Sequence, residues 1–138
     1  MESQTEYVWD FSYAEKAIEL GIDGIVVSNH GGRTLDSMPA SIEILPKIAK
    51  AVNGKIPILF DGGIKRGTDV IKAIALGASA VMIGRPIMYG LATAGALGVA
   101  HTLKILKEEL EVSMIFTGCK STKEMKNLDI FNNNYQFC

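Results

Sequence analysis

A polar loop with one histidine and one arginine stands out at residues 28–36, where the chain reads Ser-Asn-His-Gly-Gly-Arg-Thr-Leu-Asp. The apolar run at 24–27 before it predicts a buried strand that delivers His30 and Arg33 to a glycine-containing rim. An imidazole can exchange a proton near neutral pH, and a guanidinium can hold a carboxylate through two hydrogen bonds. The pair indicates a base that works on an anionic substrate. An isolated His-x-x-Arg more often marks a solvated surface loop, so this interpretation depends on the rest of the chain.

Composition restricts the classes of protein to which the chain can belong. Its 138 residues suit one ordinary domain or part of a larger one. The 14 basic and 15 acidic residues are interspersed, which argues against nucleic acid or a membrane as a partner. The apolar runs are too short to cross a bilayer. Cys119 and Cys138 are too few for a disulfide framework or a four-ligand metal site, so we expect no metal and a reducing, intracellular compartment.

Strands and helices are predicted to alternate along the middle of the chain. Three short, continuous apolar runs predict strands that are covered on both faces, at 24–28, 56–60 and 78–83. Apolar residues at helical spacing predict helices over 12–21, 39–52 and 67–77, with a longer helix after Pro86. This alternation implies right-handed βαβ units, so the predicted fold class is α/β with parallel strands.

The two ends of the chain differ from its middle. Residues 1–11 show no strand-like pattern and no secretory signal, and we expect them to lie outside the domain. The domain is predicted to cover 12–130, with a short last helix near Met125. The asparagine-rich residues 131–138 are expected to be a disordered tail.

The second and third predicted strands end in glycine-rich, basic turns. These turns read Asp-Gly-Gly-Ile-Lys-Arg-Gly at 61–67 and Gly-Arg-Pro at 84–86. In parallel α/β folds, ligands bind beyond the carboxyl ends of the strands, and glycines let backbone N–H groups approach a phosphate. Lys65, Arg66 and Arg85 can add charge, and the helix N-termini that follow can add positive potential. The turns therefore predict a phosphate-binding site beside the His30 loop.

Taken together, these motifs resemble the FMN-dependent 2-hydroxy-acid oxidases and dehydrogenases, the family that includes glycolate oxidase and lactate oxidase. Three motifs occur in the family's order: Ser-Asn-His-Gly-Gly-Arg-x-Leu-Asp, Asp-Gly-Gly-Ile-Lys-Arg-Gly-Thr-Asp-Val and Ile-Gly-Arg-Pro. The Gly-Cys-Lys-Ser sequence at 118–121 is similar to the family's closing motif. The resemblance spans about 14–130 and leans toward the glycolate oxidases. It implies the C-terminal portion of a TIM (β/α)8 barrel, with about three βα units and terminal helices.

The resemblance also implies a role for each motif. His30 would be the catalytic base and, with Arg33, would bind the substrate, the arginine clamping its carboxylate. The implied FMN-binding residues are Ser28, Asp61, Gly62, Gly63, Ile64, Lys65, Gly84 and Arg85. The implied reaction oxidises an (S)-2-hydroxy acid of the glycolate or lactate type to a 2-oxo acid, with oxygen as the expected acceptor and hydrogen peroxide as product. Whether the base acts on the hydroxyl or on the α-carbon stays open, as does the choice between an oxidase and a dehydrogenase.

Departures from the family pattern leave alternatives open. The stretch near Glu6–Trp9 corresponds to a lysine-bearing strand of the family, yet it holds no lysine and predicts no strand. The other hypothesis is an inactive fragment that serves at most as a phosphate-binding, FMN-binding or assembly module. Among enzymes, another phosphate-binding barrel family is the alternative, against which the loop of His30 and Arg33 argues.

The resemblance also bears on partners and location. Open barrel edges are expected to produce self-association or a homo-oligomer. The family suggests a peroxisome, but the chain ends in Gln-Phe-Cys rather than in a Ser-Lys-Leu signal, so the cytoplasm is the other expectation.

Overall fold

The computed structural model describes residues 5–8, 11–33 and 35–130, without the side chains of 5–8 and 11. The tail predicted at 131–138 lies outside the described residues. Four parallel strands form one sheet whose spatial order follows the sequence order. The strands are β1 Thr5–Val8, β2 Gly24–Val27, β3 Ile58–Phe60 and β4 Ala80–Val81.

Strand β1 shows that one prediction was wrong. The sequence predicted no strand near Glu6–Trp9, whereas Thr5–Val8 pairs in parallel with Gly24–Val27. Pairing with an apolar neighbour provides the hydrogen bonds that define a strand, and a short segment need not show a local apolar pattern to accept them. The sheet therefore gains a fourth strand beside the predicted three.

The three predicted strands are confirmed, each somewhat shorter than its apolar run. The difference is largest at β4, where only Ala80 and Val81 form ladder pairs with β3. Hydrogen bonds of 2.7 Å on either side, from Ser79 N to Ile58 O and from Met82 N to Phe60 O, continue the contact between the two strand segments.

Helices follow the strands in the alternation that the sequence predicted. They are α1 Phe11–Glu19, α2 Ser41–Val52, α3 Gly67–Ala75 and α4 Arg85–Thr117, with 3-10 turns at His30–Gly32 and Glu124–Asn127. Asn53 ends α2 in the left-handed conformation, with φ of 47°, directly after the predicted last helical residue at 52. Helix α4 bends at Ala94 and Gly95, where the backbone angles are not helical. None of the described helices is long and apolar enough to cross a bilayer.

The main core lies between the sheet and the helices. Alternate strand residues face it, namely Ile25, Val27, Ile58 and Phe60, and they join Leu45, Ile48 and Val52 of α2 in one buried cluster. Side chains alternate across a sheet, so Val26 and Leu59 lie on the opposite face. On that face Val26 is only 2% exposed, whereas Leu59 is partly exposed.

Helix α4 packs closely against α3. Leu106 is buried and Leu110 packs against the core cluster, whereas Leu103 is 48% exposed. A Cβ atom on Gly67 would lie 2.1 Å from Leu110 N, so the two helices can approach only because position 67 has no side chain. This close contact places α4 beside the turn that begins α3.

Candidate functional site

Three loops at the carboxyl ends of β2, β3 and β4 line one cavity of about 500 Å³. All the residues that the sequence predicted for the site contribute to its wall, except Arg66. The His30 loop contributes Ser28, His30 and Arg33, the next loop contributes Asp61 to Lys65, and the third contributes Gly84 and Arg85. Neighbouring parallel strands bring these loops to the same edge of the sheet.

Ser28 joins the His30 loop to the loop that follows β3. Its hydroxyl donates to Asp61 Oδ2 at 2.5 Å and accepts a hydrogen bond from His30 N at 3.0 Å. The backbone of His30 has a φ of 56°, a left-handed conformation that costs a residue with a side chain about 1–3 kcal/mol. Such strain persists where neighbouring contacts hold the backbone in place, and the hydrogen bond from His30 N to the Ser28 hydroxyl is one such contact. His30 is exposed at the cavity wall.

Asn29 and Ser41 support this loop, and sequence reasoning missed both. Asn29 donates from its backbone N to Ser41 Oγ and from Nδ2 to Pro39 O, both at 3.2 Å, while its Oδ1 accepts from Gly31 N at 3.1 Å. Ser41 Oγ also lies so close to Gly62 that a Cβ there would be 2.9 Å away. The Asn-x-Gly spacing is a local signal for an Asx turn, but nothing local identifies Ser41.

The two glycine turns present backbone donors to the cavity. The N–H groups of Gly63, Ile64 and Gly84 form no hydrogen bond with any residue that the structure describes. The buried side chain of Ile64 anchors the first turn, and a Cβ at Gly63 or Gly84 would meet no atom within 4 Å. Unpaired N–H groups of residues that line open space can bind an anion.

Lys65 and Arg85 place positive charge on the cavity wall. Arg85 is the first residue of α4, and its Nη2 lies 3.5 Å from the position that a Cβ on Gly31 would occupy. The guanidinium therefore reaches from the third loop to the His30 loop. With the free N–H groups, the two cations suit a phosphate monoester.

Three apolar residues also line the wall, and no sequence motif assigned them a role. They are Met82, Pro86 and Met88. A methionine near a strand end has no property that separates a cavity residue from a core residue in the sequence alone.

Arg66 lies outside this cavity, although the sequence suggested that its charge contributes. Its Nη1 donates to Glu109 Oε1 at 2.7 Å, and Gly67 N donates to Glu109 Oε2 at 2.9 Å. The hydrogen bond from Gly67 and the guanidinium of Arg66 lower the pKa of Glu109, whose hydrogen bond and charge raise the pKa of Arg66. The carboxylate thus stays ionised and holds Arg66 on α4.

At the N-terminus of α3, which was predicted to add potential to the phosphate site, carboxylates of the protein accept hydrogen bonds from three backbone donors. Asp69 Oδ2 accepts hydrogen bonds from Lys65 N at 3.1 Å and from Arg66 N at 2.9 Å, and Glu109 Oε2 accepts one from Gly67 N. Carboxylates of the protein therefore already occupy these donors. The free donors lie earlier in the turn, at Gly63 and Ile64.

Comparison with known proteins gives consistent results. The family described as FMN-dependent dehydrogenase matches residues 8–132. The 2-hydroxyacid oxidase of Dictyostelium discoideum is 52% identical over 121 residues, which cover 88% of this chain and 31% of that protein. A peroxisomal (S)-2-hydroxyacid oxidase of Arabidopsis thaliana is 54% identical over 112 residues, covering 81% of this chain and 31% of the relative.

A solved structure agrees with these relatives. A mandelate oxidase variant with a monooxide FMN adduct matches with a TM-score of 0.87 and 47% identity, over 90% of this chain and 40% of that one. The TIM-barrel portion expected from the sequence is thereby confirmed. The chain spans about 31% of the length of the curated relatives described above.

Inorganic phosphate should bind in the cavity, and Lys65→Met should weaken its binding about tenfold through the loss of one charge-assisted contact. Isothermal titration calorimetry at low salt measures the affinity. Lys50→Met is the matched control, because Lys50 is exposed on α2 and does not line the cavity. Equal weakening in both variants would contradict a specific site.

Proposed function

The chain belongs to the FMN-dependent dehydrogenase family, and we propose that it supplies the base, the substrate clamp and the cofactor-phosphate site for oxidation of an (S)-2-hydroxy acid to a 2-oxo acid. One observation carries the proposal: a single cavity lined by the His30 loop and both glycine turns. The relatives named as 2-hydroxyacid oxidases support this substrate class and oxygen as the acceptor. Because the chain spans about 31% of those relatives, the activity of the whole protein is part of the proposal.

The residues present fit the phosphate end of FMN. The free N–H groups of Gly63, Ile64 and Gly84 can bind its oxygens, and the side chains of Lys65 and Arg85 can balance its charge. When bound, the flavin would supply a two-electron acceptor. Asp61 and Ser28 would lie between the phosphate-binding turns and the His30 loop, where they already contact each other.

His30 and Arg33 divide the work on the substrate. Arg33 would hold the carboxylate of the hydroxy acid through a planar pair of hydrogen bonds. Conversion of the hydroxyl carbon to a carbonyl removes two protons and two electrons, and His30 would accept one of those protons. Oxygen would finally receive both electrons and both protons as hydrogen peroxide.

The proposal also includes a peroxisomal location and self-association of the chain. A peroxisomal location is supported by the relative from Arabidopsis thaliana that carries this word in its name. Self-association is supported by the outer strands β1 and β4, which pair with no further strand in the described residues.

FMN should bind at least tenfold more tightly than riboflavin, because riboflavin lacks the phosphate that the glycine turns would hold. Quenching of flavin fluorescence by the purified 138-residue chain measures both affinities, and hydrogen peroxide release with glycolate or L-lactate measures activity. Equal affinities would contradict the cofactor-phosphate site. FMN binding without peroxide release would instead favour the alternative of an inactive FMN-binding module.

His30→Gln should lower turnover about 10²–10⁴-fold and leave FMN affinity within about twofold, because glutamine keeps the polar shape but cannot accept the proton. The readouts are steady-state peroxide release and flavin fluorescence. His101→Gln is the matched control, since His101 is exposed on α4 and lies outside the cavity. Turnover near the wild-type rate would remove His30 from the proposed mechanism.

The 138-residue chain should self-associate, because both edges of the sheet are open among the described residues and α4 exposes Leu97 at 80%, Ile115 at 76% and Phe116 at 86%. Size exclusion with light scattering measures the mass. Phe116→Glu should shift the distribution toward monomer, whereas Lys120→Glu, a charge change at another exposed position, should not. A monodisperse monomer at micromolar concentration would exclude this proposal.

A further inference from the structure

We propose that Glu109 is a positioning residue for the phosphate-binding turn, an inference that rests on the proposed function of that turn. Glu109 does not line the cavity and lies 42 residues from Gly67 in the sequence. Its carboxylate nevertheless bonds both the backbone of Gly67 and the side chain of Arg66, directly after Lys65. It therefore fixes the point at which the turn leaves the cavity and enters α3.

Two carboxylates hold this turn, and they do different work. Asp69 belongs to α3 and bonds the N–H groups of Lys65 and Arg66, so it shapes the turn locally. Glu109 belongs to α4 and bonds Gly67 N, so it fixes the turn relative to another helix. Loss of the Glu109 carboxylate would leave the local shape of the turn intact, but the turn could then move relative to α4.

Helix α4 also begins at the second glycine turn. Helix α4 starts at Arg85, directly after Gly84, and its two segments meet after the bend, where a Cβ on Gly90 would lie 2.6 Å from Gly98 O. So close a backbone contact leaves little freedom between the segments. The bond from Glu109 to Gly67 thus connects both glycine turns through α4 and holds their separation.

Glu109 also determines which of two consecutive cations faces the cavity. Arg66 is bound to Glu109 with its side chain 71% exposed, whereas Lys65 contributes to the cavity wall. The two residues follow each other in the sequence, so holding one constrains the direction of the other. With Arg66 held on α4, Lys65 is the cation presented to the phosphate.

The test compares Glu109→Gln with wild type. Glutamine keeps the length and one acceptor for Gly67 N but loses the charge that holds Arg66, so FMN affinity should fall roughly tenfold. Backbone amide hydrogen exchange at residues 65–67 should become faster. Glu108→Gln is the matched control, because the adjacent Glu108 pairs at 3.6 Å with Lys104 on the solvent side of α4 and should change neither readout.

A double-mutant cycle with Arg66→Met tests whether the two residues act together. Arg66→Met should weaken FMN binding, and the double variant should bind FMN little worse than Glu109→Gln alone, since both changes break one contact. Strictly additive losses would overturn the joint role. The melting temperature of each variant, measured in parallel, reports any general loss of stability.

The outcomes separate this inference from the proposed function. A lower melting temperature in Glu109→Gln, with FMN affinity and exchange at 65–67 unchanged, would show a merely structural role and overturn the inference. If wild type binds FMN no better than riboflavin, the proposed function fails and the inference fails with it. If wild type prefers FMN and Glu109→Gln retains that affinity, only the inference fails.

Discussion

The parallel pairing of strands in sequence order is the constraint on which the site depends. Val27 aligns with Phe60, and Phe60 aligns with Val81, so the three strands end at one level of the sheet. The hydrogen bond from Asp61 N to Val27 O, at 2.9 Å, extends this alignment into the first residue of the glycine turn. A shift of register by one residue would turn each strand's side chains to the other face and separate the loops.

Carboxylates in the loops and in the neighbouring helices then determine which donors remain for a ligand. Asp61 accepts a hydrogen bond from the hydroxyl of Ser28. Asp69 accepts hydrogen bonds from two backbone amides of the turn, and Glu109 accepts one from a third amide. The amides of Gly63, Ile64 and Gly84 stay without a partner in the described chain. A polar group that lacks a partner in the protein costs free energy when a ligand displaces its water, unless the ligand itself is an acceptor, so these donors favour an anion.

The cavity therefore brings two groups of residues together at one edge of the sheet. In the proposed function, the His30 loop exchanges a proton and holds a carboxylate, while the glycine turns hold a phosphate. The bond between Ser28 and Asp61 connects these two regions directly. In the proposed function, a flavin nucleotide and a hydroxy acid would bind side by side so that electrons pass between them, and membership in the FMN-dependent dehydrogenase family agrees with that cofactor.

Local patterns in the sequence were sufficient for much of this structure. Helical periodicity predicted α2, and continuous apolar runs predicted β2 to β4, because both signals arise from residues close along the chain. The loop motifs, compared with a known family, identified most of the residues that line the cavity. Glycine and basic residues in a short turn carry that information locally.

Only the tertiary structure determined the features that depend on distant partners. Strand β1 forms because Gly24–Val27 accepts it, and Arg66 leaves the cavity because Glu109, on another helix, binds it. Ser41 supports Asn29 and Gly62 through contacts that no spacing reveals. The sequence alone thus determined which residues could do chemistry, whereas folding decided which donors and cations stayed free, because hydrogen bonds and ion pairs form between groups that are close in space.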